Sequence, residues 1–137
     1  MRAYGKLQGN VLSMASGINK NEIGITDKVI TTWQSVVDTM AEIISVPSAL
    51  IMKVDEPYIE VFRSSQSSKN PYKAGDREYL AGLYCERVVK TKNSILVPNA
   101  LKDKEWDKNP DIKLGMISYL GFPLLWPDGE VFGTICV

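Results

Sequence analysis

The sequence predicts an α/β (α+β) domain, an antiparallel sheet of five to six strands with helices packed on it. Three features predict it. Residues 119–126 and 131–137 are runs of aromatic, aliphatic and β-branched residues joined by Trp126-Pro127-Asp128-Gly129-Glu130, which reads as a hairpin. Residues 49–56 and 58–66 repeat the pattern around Asp55-Glu56-Pro57. Two further segments, 26–45 and 76–91, carry apolar residues at helical spacing. At 137 residues the chain makes one domain, large enough to bury a sizeable core.

In chain order, residues 1–25 hold four glycines with several Ser and Asn and read as an arm or linker, leaving 26–137 as the domain. Thr26 is placed to cap the first helix, with Asp27 in the first turn where the helix dipole favours an anion. Pro47 forces Val46 out of helical space and ends it. Val29, Trp33, Val36, Val37, Met40, Ile43 and Ile44 form a broad stripe. It either lies wholly on the sheet or shares part of its width with a second copy.

In the following hairpin, Ile59, Val61 and Arg63 alternate with Tyr58, Glu60, Phe62 and Ser64, which suggests an outer strand with one wet face. Residues 65–74 are a polar loop. Asp76, after Gly75, is expected to cap a second helix reaching Thr91, with Ala81, Tyr84, Cys85 and Val88 on one face. Cys85 is either a small core hydrophobe or a thiol on a cavity wall. Residues 94–100 form a short strand whose exit carries Asn99. Trp106 stands alone in a charged loop and folds back as a lid, over core or over ligand. Asn109-Pro110 starts a short helix over 110–116. The closing hairpin is apolar at nearly every position, so both strands read as covered on both faces. Gly121 and Gly133 mark places where other groups approach the backbone.

Sixteen basic and sixteen acidic residues cancel, so no basic excess draws in nucleic acid or an anionic membrane. No apolar run reaches spanning length. Two cysteines, Cys85 and Cys136, suggest reduced thiols and a cytoplasmic setting. The chain has no histidine, which excludes Ser-His-Asp and Cys-His catalysis within it and histidine-ligated haem; thiolate ligation stays open. Asp103 with Glu105, or Asp107 with Asp111, offers oxygen ligands to a cation, but without a recognised spacing the default is a solvated loop and no metal site is expected.

The closing segment GFPLLWPDGEVFGTICV resembles the final hairpin of a GAF domain, and the order of elements from Thr26 onward is similar to that family. The resemblance implies a non-catalytic sensory or regulatory module of a bacterial signalling protein of the histidine kinase or diguanylate cyclase type. Such domains continue past this strand into a C-terminal helix that this chain lacks, so truncation is expected. The resemblance also implies a small-molecule pocket on one sheet face, roofed by the crossover helix and the connection before the closing hairpin. Mapped onto this chain, the candidates are Phe62, Ser64, Tyr84, Cys85, Asn99, Trp106, Leu114, Met116 and Tyr119. It further implies a homodimer through the first helix (Val29, Trp33, Val36, Val37 and Met40) and an output domain elsewhere in the parent protein.

The ligand is left unidentified. The family's cyclic-nucleotide pattern has no counterpart downstream of Asn19-Lys20, and its bilin-binding members pair a thioether cysteine with histidines that this chain does not have. Two alternatives stand beside the sensor. One is a ligand-free dimerisation module with a filled core. The other is an enzyme resembling the free methionine sulfoxide reductases of this fold, with Cys85 and Cys136 as attacking and resolving thiols. Against the enzyme, the cysteine spacing differs from that family's and Cys136 sits mid-strand.

Overall fold

A computed structural model of the protein describes residues 25–137; the arm expected over residues 1–25 lies almost wholly outside them. The elements are α1 (Asp27–Ile44), β1 (Leu50–Asp55), β2 (Tyr58–Ser64), β3 (Arg77–Tyr79), α2 (Tyr84–Thr91), β4 (Ile95–Val97), two 3-10 turns (Ala100–Lys102 and Pro110–Leu114), β5 (Tyr119–Leu125) and β6 (Val131–Cys136). The strands form one six-stranded sheet in the order β3-β2-β1-β6-β5-β4, with every pair antiparallel. The five strands identified in the sequence are all present, and the sixth is β3.

The first helix forms as its sequence dictates. The Thr26 side chain accepts from the Val29 amide, and Ser45 closes the helix in the left-handed conformation with its N–H on the Ala41 and Glu42 carbonyls. The closing hairpin turns at Gly129, whose φ of 84° needs glycine; the Trp126 and Glu130 backbones pair across it.

Four expectations are corrected. Residues 76–91 are not one helix. Arg77–Tyr79 pairs with Tyr58–Glu60 as an edge strand, and Gly82, at φ 87°, breaks the chain before α2. Asp76 accepts from the Lys73 amide instead of capping a helix, and Glu86 reaches back from the first turn of α2 to the Gly82 N–H. β2 is consequently an inner strand rather than an outer one. Residues 110–116 give a 3-10 turn, capped by Asn109 as expected and ended by Gly115 in the left-handed region. Finally, β5 is only half covered: Phe122 and Leu125 are exposed, and β4 pairs only with Tyr119, Leu120 and Gly121.

The core is split by the sheet. On one side α1 packs Val37 and Ala41 onto Ala49, Ile51 and Phe132. On the other, Leu50, Met52, Ile59 and Val61 face α2, through Tyr84, Cys85 and Val88. Two register shifts add a residue to β2 and to β6, Phe62 opposite Ile51/Met52 and Phe132 opposite Leu124/Leu125. Both rings turn to the α1 side, where Trp33 meets them edge-on at 5.7 Å and 5.2 Å. The bulge in β6 lets Phe132 face α1 while Thr134 and Cys136 face α2.

Candidate functional site

The α2 side of the sheet holds a cavity of about 400 Å³, within the range of small-molecule sites. Its floor is apolar, from Leu50, Met52, Ile59 and Val61. Its roof comes from the start of α2, with Leu83, Tyr84 and Cys85, and from Asp111, Leu114 and Met116 of the connection before β5. Five of the nine predicted pocket residues, Tyr84, Cys85, Leu114, Met116 and Tyr119, line it together.

The other four lie elsewhere. Ile59 and Val61 take the cavity side of β2, so strand alternation sends Phe62 to the α1 side. Ser64 stands behind the wall, donating to the Tyr72 carbonyl at 2.8 Å while Asn70 donates to its hydroxyl. Asn99 caps the first 3-10 turn by accepting from the Leu101 amide. Trp106 covers Tyr84 from outside, with ring centroids 5.3 Å apart, and does not reach the cavity. Of the predicted dimer residues, Val37 is wholly buried against the sheet and Trp33 is engaged by Phe62 and Phe132. Val36 is exposed.

Tyr119 organises the inner wall. Its ring lies across Gly121 and stacks on Tyr84 at 4.9 Å, and its hydroxyl reaches Cys85 Sγ at 3.3 Å. The fully buried Thr134 hydroxyl lies 3.4 Å from Cys85 Sγ and 4.0 Å from Cys136 Sγ. Both thiols are free and buried. Cys136, Thr134 and Tyr119 all hydrogen-bond toward the Cys85 sulfur, which pulls that thiol down against the opposing effect of burial. The Cys136 thiol is pushed well up by its bond to Cys85 and by burial, and the Tyr119 phenol is pushed up mainly by burial. The sulfurs that looked remote in sequence are thus neighbours in the fold.

Sequence reasoning missed the polar end of the cavity. Tyr72, from the loop pinned by Ser64 and Asn70, donates its hydroxyl to Asp111 Oδ1 at 2.9 Å. Asp111, expected to be solvated, is instead half-buried; its burial and the nearby Glu78 raise its carboxyl pKa although the Tyr72 hydrogen bond opposes the shift. Burial, with Asp111 beside it, likewise pushes the Tyr72 and Tyr84 phenols up. Ser48, just before β1, lines the same cavity with a buried hydroxyl that has no hydrogen-bond partner among the described residues. Nothing local in the sequence marks Tyr72 or Ser48. The Asn109-Pro110-Asp111 cap fixes the position of Asp111 but does not signal its burial.

This architecture, a six-stranded antiparallel sheet with a helix on one face and a roofed cavity on the other, is that of a small α/β domain. The GAF domain family model matches residues 28–137, and the chain belongs to that family. Among solved structures it is similar to the GAF domain of an Acinetobacter phosphoenolpyruvate-protein phosphotransferase, at 20% identity and TM-score 0.61, over 96% of this chain and 75% of that one. It is also similar to the PixJ GAF domain of Thermosynechococcus elongatus in its blue-light absorbing form (14% identity, TM-score 0.62, 78% and 66% covered). A type II free methionine-R-sulfoxide reductase from Thermoplasma acidophilum shares the fold as well (11% identity, TM-score 0.59, 77% and 70% covered). No curated protein matches the chain. Among the described residues, no helix is long and apolar enough to cross a membrane.

Proposed function

We propose that this GAF domain is the sensory module of a cytoplasmic bacterial signalling protein, and that a small molecule in the cavity biases how two copies pair through α1. The output would be a kinase or diguanylate cyclase domain of the parent protein. The observation that carries the reading is the roofed cavity of about 400 Å³ with apolar walls and a few polar groups at its rim. A filled-core dimerisation module would not need it. The exposed Val36, Ile43 and Ile44 on α1 offer the surface for a second copy. A ligand acts on such a switch only through different affinity for the two helix arrangements. Neither nucleic acid nor membrane has a place in this reading. Native mass spectrometry of the purified protein tests it: a mass excess lost on denaturation supports a retained small molecule, and a dimer without excess mass supports the structural module.

The proximity of Cys85, Thr134 and Cys136 favours one second reading, reduction of a small sulfoxide. Two thiols and a sulfoxide would give a disulfide, a sulfide and water. Burial of both sulfurs and the raised Cys136 thiol weigh against it. Turnover of free methionine sulfoxide with a thiol reductant present, lost in Cys85→Ser, would establish it over the sensor.

A further inference from the structure

The cavity carries a charge preference as well as a shape. Among the described residues that line it there is no lysine, and the chain has no histidine. Three carboxylates line it, on Asp76, Glu78 and Asp111, against one cation, Arg77. That guanidinium is already committed: it bonds Asp55 Oδ2 at 2.5 Å and lies 4.8 Å over the Tyr58 ring. An anion entering the cavity would meet carboxylates with no free cation to receive it. Among the described residues only the Tyr72 hydroxyl donates to the Asp111 carboxylate, which leaves acceptor capacity there.

A second observation stands apart from these charges. Ser48 is 5% exposed, and its hydroxyl oxygen lacks a hydrogen-bond partner among the described residues. A buried hydroxyl left unpaired has given up its hydration without a hydrogen bond in return. A ligand that bonds it recovers that cost.

We infer that the cavity takes a small amphipathic amine, whose ammonium group donates to Asp111 and whose second polar group meets Ser48, and that it rejects carboxylate- and phosphate-bearing ligands. The inference rests on the proposed ligand-binding role and adds the chemical class. The apolar body of the ligand lies on Leu50, Met52 and Ile59. An ammonium in the cavity also offsets the cost of burying an ionised Asp111 beside Glu78.

The test uses three probes of one shape and different charge: phenethylamine, phenethyl alcohol and phenylacetate. Each is titrated into the protein at about neutral pH while the backbone amides of Ser118, Tyr119 and Cys136 are followed by heteronuclear NMR. Phenethylamine is expected to bind at least about tenfold more tightly than phenylacetate, since like charges placed together in a partly dry site are strongly disfavoured. Asp111→Asn should bring the two within about threefold, and Ser48→Ala should leave that ratio unchanged. Equal binding of all three probes, or tighter binding of phenylacetate, overturns the amine preference and leaves the cavity standing as a binding site. If none of them shifts the cavity amides, the molecule retained in native mass spectrometry decides. A retained amine supports the inference, a retained anion overturns it, and no retained molecule removes the ligand-binding role together with the inference.

Discussion

A Cβ added to Gly121 would fall 2.1 Å from the Tyr119 hydroxyl and 2.5 Å from two atoms of its ring. Tyr119 cannot simply swing aside, because it is buried, stacked on Tyr84 and bonded to Cys85. Gly121→Ala is therefore expected to cost about 1–3 kcal/mol, as overpacking does. In a Tyr119→Ala background the same change should cost almost nothing, since the clash is gone. Denaturant unfolding of the four members of the cycle measures the coupling.

Val36 and Val37 are neighbours with opposite exposure, 37% and 0%. Val37→Ala should cost the protomer about 2 kcal/mol through a cavity against the sheet. Val36→Glu should leave the melting temperature nearly unchanged but convert a dimer to a monomer if α1 is the pairing surface. Light scattering together with thermal melting separates the two effects. An unaltered dimer in Val36→Glu would move the pairing surface away from this face of α1.

How far these features could be read from sequence depends on how local their causes are. The closing hairpin was legible because Asp128 and Gly129 encode the turn within a few residues, and α1 because Thr26 and a seven-residue apolar stripe define its ends and face. Arg77-Glu78-Tyr79 looks like the first turn of a helix; it becomes a strand only because Tyr58–Glu60 pairs with it and Gly82 halts the chain afterwards. Five of the cavity residues followed from the resemblance, while Phe62 was placed on the wrong face, although the alternation with Ile59 and Val61 was already visible. Asp111 was out of reach, for its hydrogen-bond partner Tyr72 lies 39 residues away.

The thiol pair gives a kinetic prediction. With both sulfurs buried, alkylation of the native protein by iodoacetamide should run through opening of the structure and be far slower than in the unfolded chain. For openings that leave the Cys85, Thr134 and Cys136 hydrogen bonds in place, Cys85 should react before Cys136, because those bonds pull its thiol down while the Cys136 thiol is pushed up. Peptide mass spectrometry of a labelling time course reads the order. Faster labelling of Cys136 would contradict the assigned direction of the hydrogen bonds.

Asp111 links the cavity to pH. Burial raises its carboxyl, Glu78 adds to the shift and the Tyr72 hydroxyl opposes it; Tyr84 feels the same charge. The folded protein therefore holds this proton more tightly than the unfolded chain. The stability it contributes is present below the unfolded pKa of an aspartate and is lost as pH rises through the folded value. Asn in its place keeps an acceptor for Tyr72 and removes the charge. Asp111→Asn is thus expected to melt a few degrees above the natural protein at neutral pH, with the gap closing as the pH is lowered past the raised carboxyl value. Melting curves from about pH 4 to about pH 8 follow this directly. A variant less stable than the natural protein across that whole range would mean that the Asp111 carboxylate is held by favourable partners within the fold, and that the cavity has no uncompensated negative charge to offer an amine.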